Sequence, residues 1–566
     1  MIDLGCLQGP LPPAADMLFS DGVFDSIAIM LLIAMLIAAV AAPLVRRRYR
    51  QRVVRLMGLN QVARRGPAVR QADGATLDSS SGQAGGATDA DGLAALAGQR
   101  EQRVTRATAA AWMVFVFTAA WVAGIDPRAD LSGRLGFATV AGLLALGPAL
   151  INLPPRWSRW ALAVGVIACV AALVLMGSVG GDDAADAGGA EVDEEMPVWQ
   201  LVLFALLAGA AYLAMFHRTL RGQVLPLFVV LSVGLVVFLA PVGYLERHAG
   251  SCLSLLDAAQ EGSLLKSAAM LVVTLMIVSG LWLSFVLLGA LARLIDRGWV
   301  SELSLPSVVA LAVFAVVMVM NQLPDEAGSR SAWMLWTPLP WLAVTLGAYA
   351  LALGRPSAGG PGPQLLVLRV FSEDTRRHTL LDEVQARWRY VGAVHQIGGP
   401  DMVAMNVDPY ESTLFLANRL HELFLPEAAS PAQLRSSLVT TPDREGRYRI
   451  NEVFCFNTAW RNTVVQLMHL SDAIALDLRG LTAQREGTSF EIGQLAHGGL
   501  LPRVVAVGDE STDWTHVEAL LQAEGQDPRQ LKRLVITEAP PSAALFTQLL
   551  QAAASRSAPA VPALSA

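Results

Sequence analysis

Apolar positions are arranged differently in the two parts of the chain. Up to Leu353, apolar blocks of about 20 residues follow one another, and after Leu353 such blocks stop. A helix of about 20 apolar residues crosses the hydrocarbon layer of a bilayer. We therefore predict nine membrane spans, near residues 24–44, 107–125, 135–153, 160–179, 197–216, 224–244, 268–292, 305–323 and 335–353.

From Gln364 onward, short β-branched runs alternate with amphipathic helical patterns, which is typical of a mainly parallel sheet covered by helices. The predicted strands are 365–371, 392–397, 449–455, 473–478, 503–507 and 534–536. The predicted helices are 376–389, 410–424, 458–470, 488–497, 514–523 and 541–554. The predicted fold class is an all-α transmembrane helix bundle of about nine spans, followed by a cytoplasmic α/β Rossmann-like domain.

This pattern also predicts the domain boundaries. The bundle covers residues 1–353, and its stretch at 66–102 consists largely of small and polar residues, which predicts a disordered cytoplasmic loop. A Gly- and Pro-rich linker follows at 354–363. The α/β domain covers 364–555, and 556–566 form a loose tail.

Arginine placement predicts the orientation of the bundle. Basic residues cluster in alternate connections, at Arg46, Arg47, Arg48, Arg50, Arg52, Arg55, Arg156, Arg159, Arg218, Arg221, Arg293 and Arg297. Basic flanks stay on the cytoplasmic side, so we expect a bacterial inner-membrane protein in contact with lipid, with the N-terminus outside and the C-terminal domain in the cytoplasm. Cys6 and Cys252 would then share the outer face, and whether they form a disulfide is left open.

Composition excludes several classes of function. The chain is 54% hydrophobic and 16% charged, with a mean hydropathy of +0.46 and a net charge of −6, so we expect no nucleic-acid partner. Lys266 and Lys532 are its only lysines and neither follows a glycine-rich loop, which excludes a P-loop nucleotidase. The cysteines and histidines lack metal-ligand spacing, so we predict neither a metal nor a resident cofactor.

Candidate ligand-binding residues follow the predicted strands. In open α/β sheets, ligands bind beyond the carboxyl ends of the strands. The residues at or just after these ends are Ser372, Gly398, Gly399, Asp477, Arg479 and Asp509. We expect the binding site among them.

The most informative segment runs from Ser471 to Ala496. The strand end Asp-Ala-Ile-Ala-Leu-Asp-Leu-Arg-Gly is followed by a polar loop and by Thr-Ser-Phe-Glu-Ile-Gly-Gln-Leu-Ala entering the next helix. This arrangement resembles the nucleoside 2-deoxyribosyltransferase pattern and, more loosely, TIR-type NAD hydrolase domains. The whole domain also resembles that of a group of bacterial multi-span membrane proteins with a similar Asp-Leu-Arg-Gly strand end, a likeness that implies a fold and no activity.

The first resemblance implies a carboxylate that attacks or stabilises a ribosyl anomeric carbon. Glu491 would be the catalytic nucleophile or the ribose-binding carboxylate, Asp477 would contact sugar hydroxyls, and Gly493 would let the helix approach the strand closely. A carboxylate suits the chemistry because it can form a covalent glycosyl intermediate. The structural alternative is that Glu491 complements the helix dipole, with Thr488 or Ser489 as the cap.

Two arginines stand out in the same domain. Arg369 lies inside an otherwise apolar first strand, and Arg479 follows the fourth. A buried arginine needs an anionic partner, so Arg479 either clamps a ligand anion or bridges to Asp477 or Glu491 as part of the structure. We expect Trp460 to be a core or interface residue and His395 to be a polar strand residue.

The leading functional hypothesis is a membrane protein whose cytoplasmic domain binds or hydrolyses a nucleotide or ribosyl ligand, as a signalling or stress and defence effector. If it is an enzyme, it is of the N-ribosyl hydrolase or transferase type. The alternatives are a non-enzymatic membrane-anchored scaffold and a regulated transporter, although the spans contain almost no ionisable residues. Whether the chain forms a homo-oligomer is left open.

Overall fold

A computed structural model gives the fold of eleven parts of the chain. They are residues 21–63, 89–125, 222–232, 263–297, 301, 338–354, 361–369, 378–398, 409–425, 429–536 and 542–557. Cys6 and Cys252 lie outside these residues, as do the predicted spans near 135–153, 160–179, 197–216 and 305–323. The predicted tail after residue 557 also lies outside them.

Five helices precede the sheet in the described residues. They are α1 (Asp21–Ala63), α2 (Ala90–Ile125), α3 (Gly222–Ser232), α4 (Ser263–Asp296) and α5 (Pro338–Leu353). In the part of the chain that the structure describes, α4 alone is long and apolar enough to cross a membrane, over Val278–Ile295. The predicted nine-span all-α bundle is therefore wrong.

Helix length and alanine content explain this error. The helices α3 and α5 are shorter than the about 20 residues that a span needs. In α1, the alanines Ala34, Ala38 and Ala42 raise the apolar content, yet they are buried. Small buried residues at this spacing pack helices together, and apolar composition alone does not separate such a face from one that contacts lipid.

The sheet has six parallel strands. They are β1 (Leu365–Arg369), β2 (Val394–Ile397), β3 (Ile450–Val453), β4 (Ala473–Asp477), β5 (Val504–Gly508) and β6 (Lys532–Val535). Each overlaps a strand predicted from the sequence. Their order across the sheet is β3-β2-β1-β4-β5-β6, with Leu365 opposite Val394 and Leu366 opposite Ile474. This is the doubly wound arrangement, in which the strand order reverses between β1 and β4.

Seven α-helices accompany the sheet in the described residues. They are α6 (His378–Trp388), α7 (Pro409–Leu416), α8 (Pro431–Ser437), α9 (Trp460–Leu470), α10 (Glu486–His497), α11 (Trp514–Ala523) and α12 (Ser542–Ser557). Short 3-10 turns lie at Leu420–Leu423, Leu501–Arg503 and Pro528–Gln530. The predicted helix 410–424 is interrupted at Asn418, whose φ of +56° is left-handed.

Strand alternation divides the core between the two faces of the sheet. Leu366, Ile474 and Val504 face a layer formed by α9, α10 and α11. Their neighbours Ala473 and Val505 face the opposite layer, formed mainly by α6 and α12. Both faces are therefore covered, as a parallel sheet requires.

The described chain forms two compact units. The helical unit includes α4, α5 and α7, and α7 packs against α4. The sheet unit contains the sheet, its other helices, the carboxyl-terminal part of α1 from Arg48 and the amino-terminal part of α2 up to Val104. Residues 48–104 are thus grouped with the sheet unit, whereas the sequence analysis placed them in the bundle.

The amino-terminal part of α2 corrects the predicted disorder over residues 90–102, whereas residues 66–88 of that prediction lie outside the described residues. Residues 90–102 are helical, and Leu93 and Ala97 are buried in the core beside α6 and α12. The alanine- and glycine-rich composition suggested low complexity. However, Ala90, Leu93 and Ala97 are three to four residues apart, so they form one apolar face that packs against this core.

Candidate functional site

The reversal of strand order places the candidate site at the carboxyl ends of β1 and β4. The helices that follow these two strands, α6 and α10, cover opposite faces of the sheet, and doubly wound sheets bind ligands at such a point. The loop after β1, with Ser372, lies outside the described residues. The loop from Leu478 to Arg485 connects β4 to α10 and lies at the carboxyl edge of the sheet.

Asp477 and Arg479 form a buried ion pair at the end of β4. Arg479 Nε donates to Asp477 Oδ1 at 2.8 Å, and Nη2 donates to Oδ2 at 2.7 Å. The backbone N–H of Arg479 also donates to Oδ1, at 3.2 Å. Both side chains are 8% exposed. The structural bridge anticipated for Arg479 is therefore present, and it engages both oxygens of the carboxylate expected to contact sugar hydroxyls.

A polar row continues from this pair across the neighbouring strands. Arg369, the last residue of β1, lies in register with Asp477. Its Nη2 donates to Gln396 Oε1 at 2.9 Å, and Gln396 Nε2 donates to Glu452 Oε1 at 2.7 Å. Opposite charges thus alternate along the carboxyl edge, with a neutral amide between Arg369 and Glu452. Sequence reasoning identified Arg369 as unusual but missed Gln396 and Glu452, although each lies two residues after an apolar position of a predicted strand.

Glu491 is a buried acid on α10. It is 6% exposed, and its Oε2 atom has no hydrogen-bond partner. Burial raises the pKa of its carboxyl group to about 8, because an ionised carboxylate is poorly solvated in an apolar environment. At neutral pH the group is therefore mainly a carboxylic acid, which can donate a hydrogen bond but is a poor nucleophile.

The structural alternative for Glu491 is wrong in its cap residue and in the position that it gives Glu491 along the helix. The helix α10 begins at Glu486. The helix dipole acts most strongly in the first turn, and Glu491 lies beyond that turn. The N-cap residue is Arg485, without a side-chain cap, rather than Thr488 or Ser489. Glu491 is a buried acid within the layer of α9, α10 and α11, on a helix without a side-chain cap.

Asp477 and Glu491 come from different faces of the sheet. Asp477 has the strand parity of Ala473 and Ala475, whose side chains belong to the α6 and α12 core. Glu491 lies beside Ile492, which belongs to the opposite core. The two carboxyl groups proposed by resemblance to act on one ribosyl ligand are therefore presented from opposite layers.

The remaining predicted residues have different surroundings. Gly398 follows β2, where an added Cβ would lie 2.9 Å from Phe454 Cε1, so glycine leaves room for this ring. Gly399 lies outside the described residues. Asp509 follows β5 and accepts hydrogen bonds from the backbone N–H and the hydroxyl of Ser511, which gives it an evident role in its turn.

Gly493 does not have the role expected from the resemblance. A Cβ at Gly493 would have no atom within 4 Å, whereas a Cβ at Gly508 would lie 2.3 Å from Trp514 Cζ2. We predict that Gly508→Ala lowers the free energy of unfolding by about 1–3 kcal/mol through overpacking. The control Gly493→Ala should raise it by about 0.5–1 kcal/mol by favouring the helix. Thermal unfolding of both variants checks this, and equal effects would contradict it.

Trp460 and His395 both contact other side chains of the sheet unit. Trp460 packs edge-to-face with Phe490, with ring centroids 5.6 Å apart, and Arg461 lies over both rings. His395 is fully buried in β2, between Gln364 Oε1 at 3.1 Å and Asn451 Nδ2 at 3.3 Å. Burial lowers the pKa of His395 to about 4, so it is neutral at physiological pH.

Comparisons with known proteins do not identify a family for this chain. No protein-family model, curated protein or solved structure matches the chain. Within the described residues, no group of three or more His, Cys, Asp or Glu side chains is arranged to hold a metal ion. The resemblance to nucleoside 2-deoxyribosyltransferases and TIR-type domains therefore remains a prediction.

Proposed function

We propose that the sheet unit binds a nucleotide or ribosyl ligand at the carboxyl edge between β1 and β4. The observation that supports this most is the reversal of strand order at that edge, because doubly wound sheets bind ligands where the order reverses. Asp477, Arg479, Arg369 and Gln396 supply polar groups there. The resemblance of the β4–α10 segment supplies the ligand class.

Binding fits the arrangement better than covalent catalysis. Both oxygens of Asp477 already accept hydrogen bonds from Arg479, and Glu491 is mainly protonated at neutral pH. Hydrolysis of an N-ribosyl bond is the catalytic extension of the proposal. If the protein catalyses this hydrolysis, Glu491→Gln should abolish the release of nicotinamide from NAD while the variant remains folded. Unchanged release would show that Glu491 is not a catalytic residue.

A ligand screen on the full-length protein tests binding. NAD, ATP and adenosine are each added at increasing concentration, and the thermal unfolding midpoint is recorded. A ligand at 100 times its Kd stabilises the folded protein by about 2.7 kcal/mol, which gives a shift of several degrees. The full chain is used because the amino-terminal part of α2 packs against the sheet unit.

A matched pair of variants locates the site. Ala483 is exposed in the β4–α10 loop, and Gln530 is exposed at the opposite edge, before β6. We expect Ala483→Trp to weaken binding of the active probe about tenfold or more by filling the crevice, and Gln530→Trp to leave it unchanged. No shift with any probe, or equal effects of the two variants, would contradict the proposed site.

We also propose that the protein is attached to a bacterial inner membrane, with the sheet unit in the cytoplasm. Large apolar side chains are exposed around α4, among them Leu281, Trp282, Val286 and Leu287. A helix that is apolar on all sides requires an apolar surrounding, which lipid provides. The protein should therefore remain in the membrane pellet after alkaline carbonate extraction, and its release would contradict attachment.

A further inference from the structure

The amino-terminal part of α2 lies on the sheet unit through apolar contacts. Leu93 and Ala97 are 8% and 7% exposed, and both belong to the core formed with α6 and α12. Ala90 packs against the same core. Spaced three to four residues apart, these positions form one face of the helix, so this part of α2 has a defined side toward the sheet unit.

Arg100 extends the same face by one turn. It is 8% exposed, and its Nη1 donates to the backbone carbonyl of Tyr390 at 2.9 Å. Its guanidinium carbon lies 5.6 Å from the centroid of the Tyr448 ring. Tyr390 follows α6 and Tyr448 precedes β3, so Arg100 joins two loops at the amino edge of the sheet, opposite the candidate ligand site.

The surface that receives Arg100 is built by the sheet unit itself. The backbone N–H of Tyr448 donates to the carbonyl of Arg389 at 2.6 Å, and Arg389 Nε donates to the carbonyl of Tyr448 at 2.7 Å. Gly446 has a left-handed φ of +80°, and a Cβ there would lie 3.6 Å from Arg100 Cδ. The two loops therefore hold each other and form a seat for the arginine.

The contacts of Arg100 suit a reversible attachment. A backbone carbonyl and an aromatic face hold the guanidinium, and its buried Nε atom has no hydrogen-bond partner. A desolvated cation that is only partly compensated stabilises a contact less than a complete buried ion pair does. Arg100 therefore specifies where α2 docks through fewer polar contacts than a guanidinium can form.

We propose that the amino edge of the sheet unit is a docking surface for the amino-terminal half of α2, and that Arg100 is the latch that closes this contact. The partner is a segment of the same chain, and the inference does not depend on the proposed ligand. The helix continues without interruption to Ile125, and Met113 and Phe117 in its second half are 59% and 67% exposed. Its docked half is thus covalently continuous with an apolar half.

Hydrogen exchange on the full-length protein tests the latch. We expect Arg100→Gln to accelerate exchange of residues 90–104 about tenfold or more, because the docked helix opens more often. The control Arg103→Gln changes an exposed arginine three residues away and should leave exchange unchanged. Leu93→Ser removes an apolar docking contact and should act as Arg100→Gln does.

The sheet core provides the internal reference for this experiment. Amides of β4 and β5 should exchange at the wild-type rate in all three variants if α2 docks onto an independently folded sheet. Unchanged exchange of residues 90–104 in Arg100→Gln would overturn the latch. Equal acceleration in β4 and β5 would also overturn the proposal, since α2 would then be an inseparable part of the core.

Discussion

Replacing Arg479 by glutamine should lower the free energy of unfolding of the sheet unit by about 3–5 kcal/mol, because it leaves the carboxylate of Asp477 buried without its cation. Asp477→Asn should cost a similar amount by leaving Arg479 uncompensated. The double variant should cost clearly less than the sum, since neither charge remains. Calorimetric unfolding of the two single variants and the double variant measures this coupling.

A surface ion pair of similar geometry is the control for this cycle. Arg419 Nε and Glu422 Oε1 are 2.7 Å apart, but their side chains are 44% and 41% exposed. Solvent screens such a pair, so Arg419→Gln should cost less than about 1 kcal/mol. If Arg479→Gln and Arg419→Gln were equally mild, the Asp477–Arg479 pair would not hold the carboxyl end of β4.

Glu491→Gln should stabilise the sheet unit at pH 8 and have little effect near pH 5. The pKa of Glu491 is about 8 in the folded protein, against 4.5 ordinarily, so the unfolded chain releases this proton at lower pH than the folded chain does. Stability contributed by this group is thus complete below pH 4.5 and is lost as the pH rises to 8. Glutamine does not titrate, so the gain at pH 8 is about 4 kcal/mol.

Thermal unfolding at pH 5 and pH 8 measures the effect of Glu491→Gln. Glu486→Gln is the control, because Glu486 is exposed in the first turn of the same helix. It should change stability by only a few tenths of a kcal/mol at either pH, as expected for a first-turn acid. A Glu491→Gln variant less stable than wild type at pH 8 would show that the buried group is ionised and paired.

Strand pattern was sufficient to predict the sheet. Three runs of apolar residues, each bounded by polar residues or glycine, form strands that are buried on both faces: Leu365–Leu368, Ala473–Leu476 and Val504–Val507. The helix α8 was missed because it is short and its one buried residue, Leu434, forms no periodic pattern. Ser430 and Gln433 form a capping box before it, and this signal could have revealed it.

The sequence led to the candidate residues of the site and to one of their pairings, but not to the others. Topology rules led to Asp477 and Arg479, which are close in sequence and also form a pair. The contact of Arg369 with Gln396 joins strands that are distant in sequence, so it required the strand order. The burial of Glu491, and the absence of a hydrogen-bond partner for its Oε2 atom, could not be predicted, because burial of an acid depends on all the layers around it.

The helical part shows the limit of counting apolar residues. A hydropathy sum counts an alanine that packs against another helix as evidence for a membrane span, just as it counts a leucine that faces lipid. In α2, one helix combines a half that packs against the sheet unit with an apolar half, and a hydropathy window of fixed length does not separate the two halves. The linker at 354–363 is therefore not the only covalent route into the sheet unit.

Photoaffinity labelling tests the central claim most directly. The full-length protein is irradiated with 8-azido-ATP or an azido-adenine derivative of NAD, whichever parent nucleotide shifts the unfolding midpoint, and labelled peptides are mapped by mass spectrometry. The account predicts saturable labelling within residues 478–491 and around Gly398, prevented by the unmodified nucleotide. Saturable labelling confined to the amino edge, or none at all, would contradict a nucleotide site between β1 and β4.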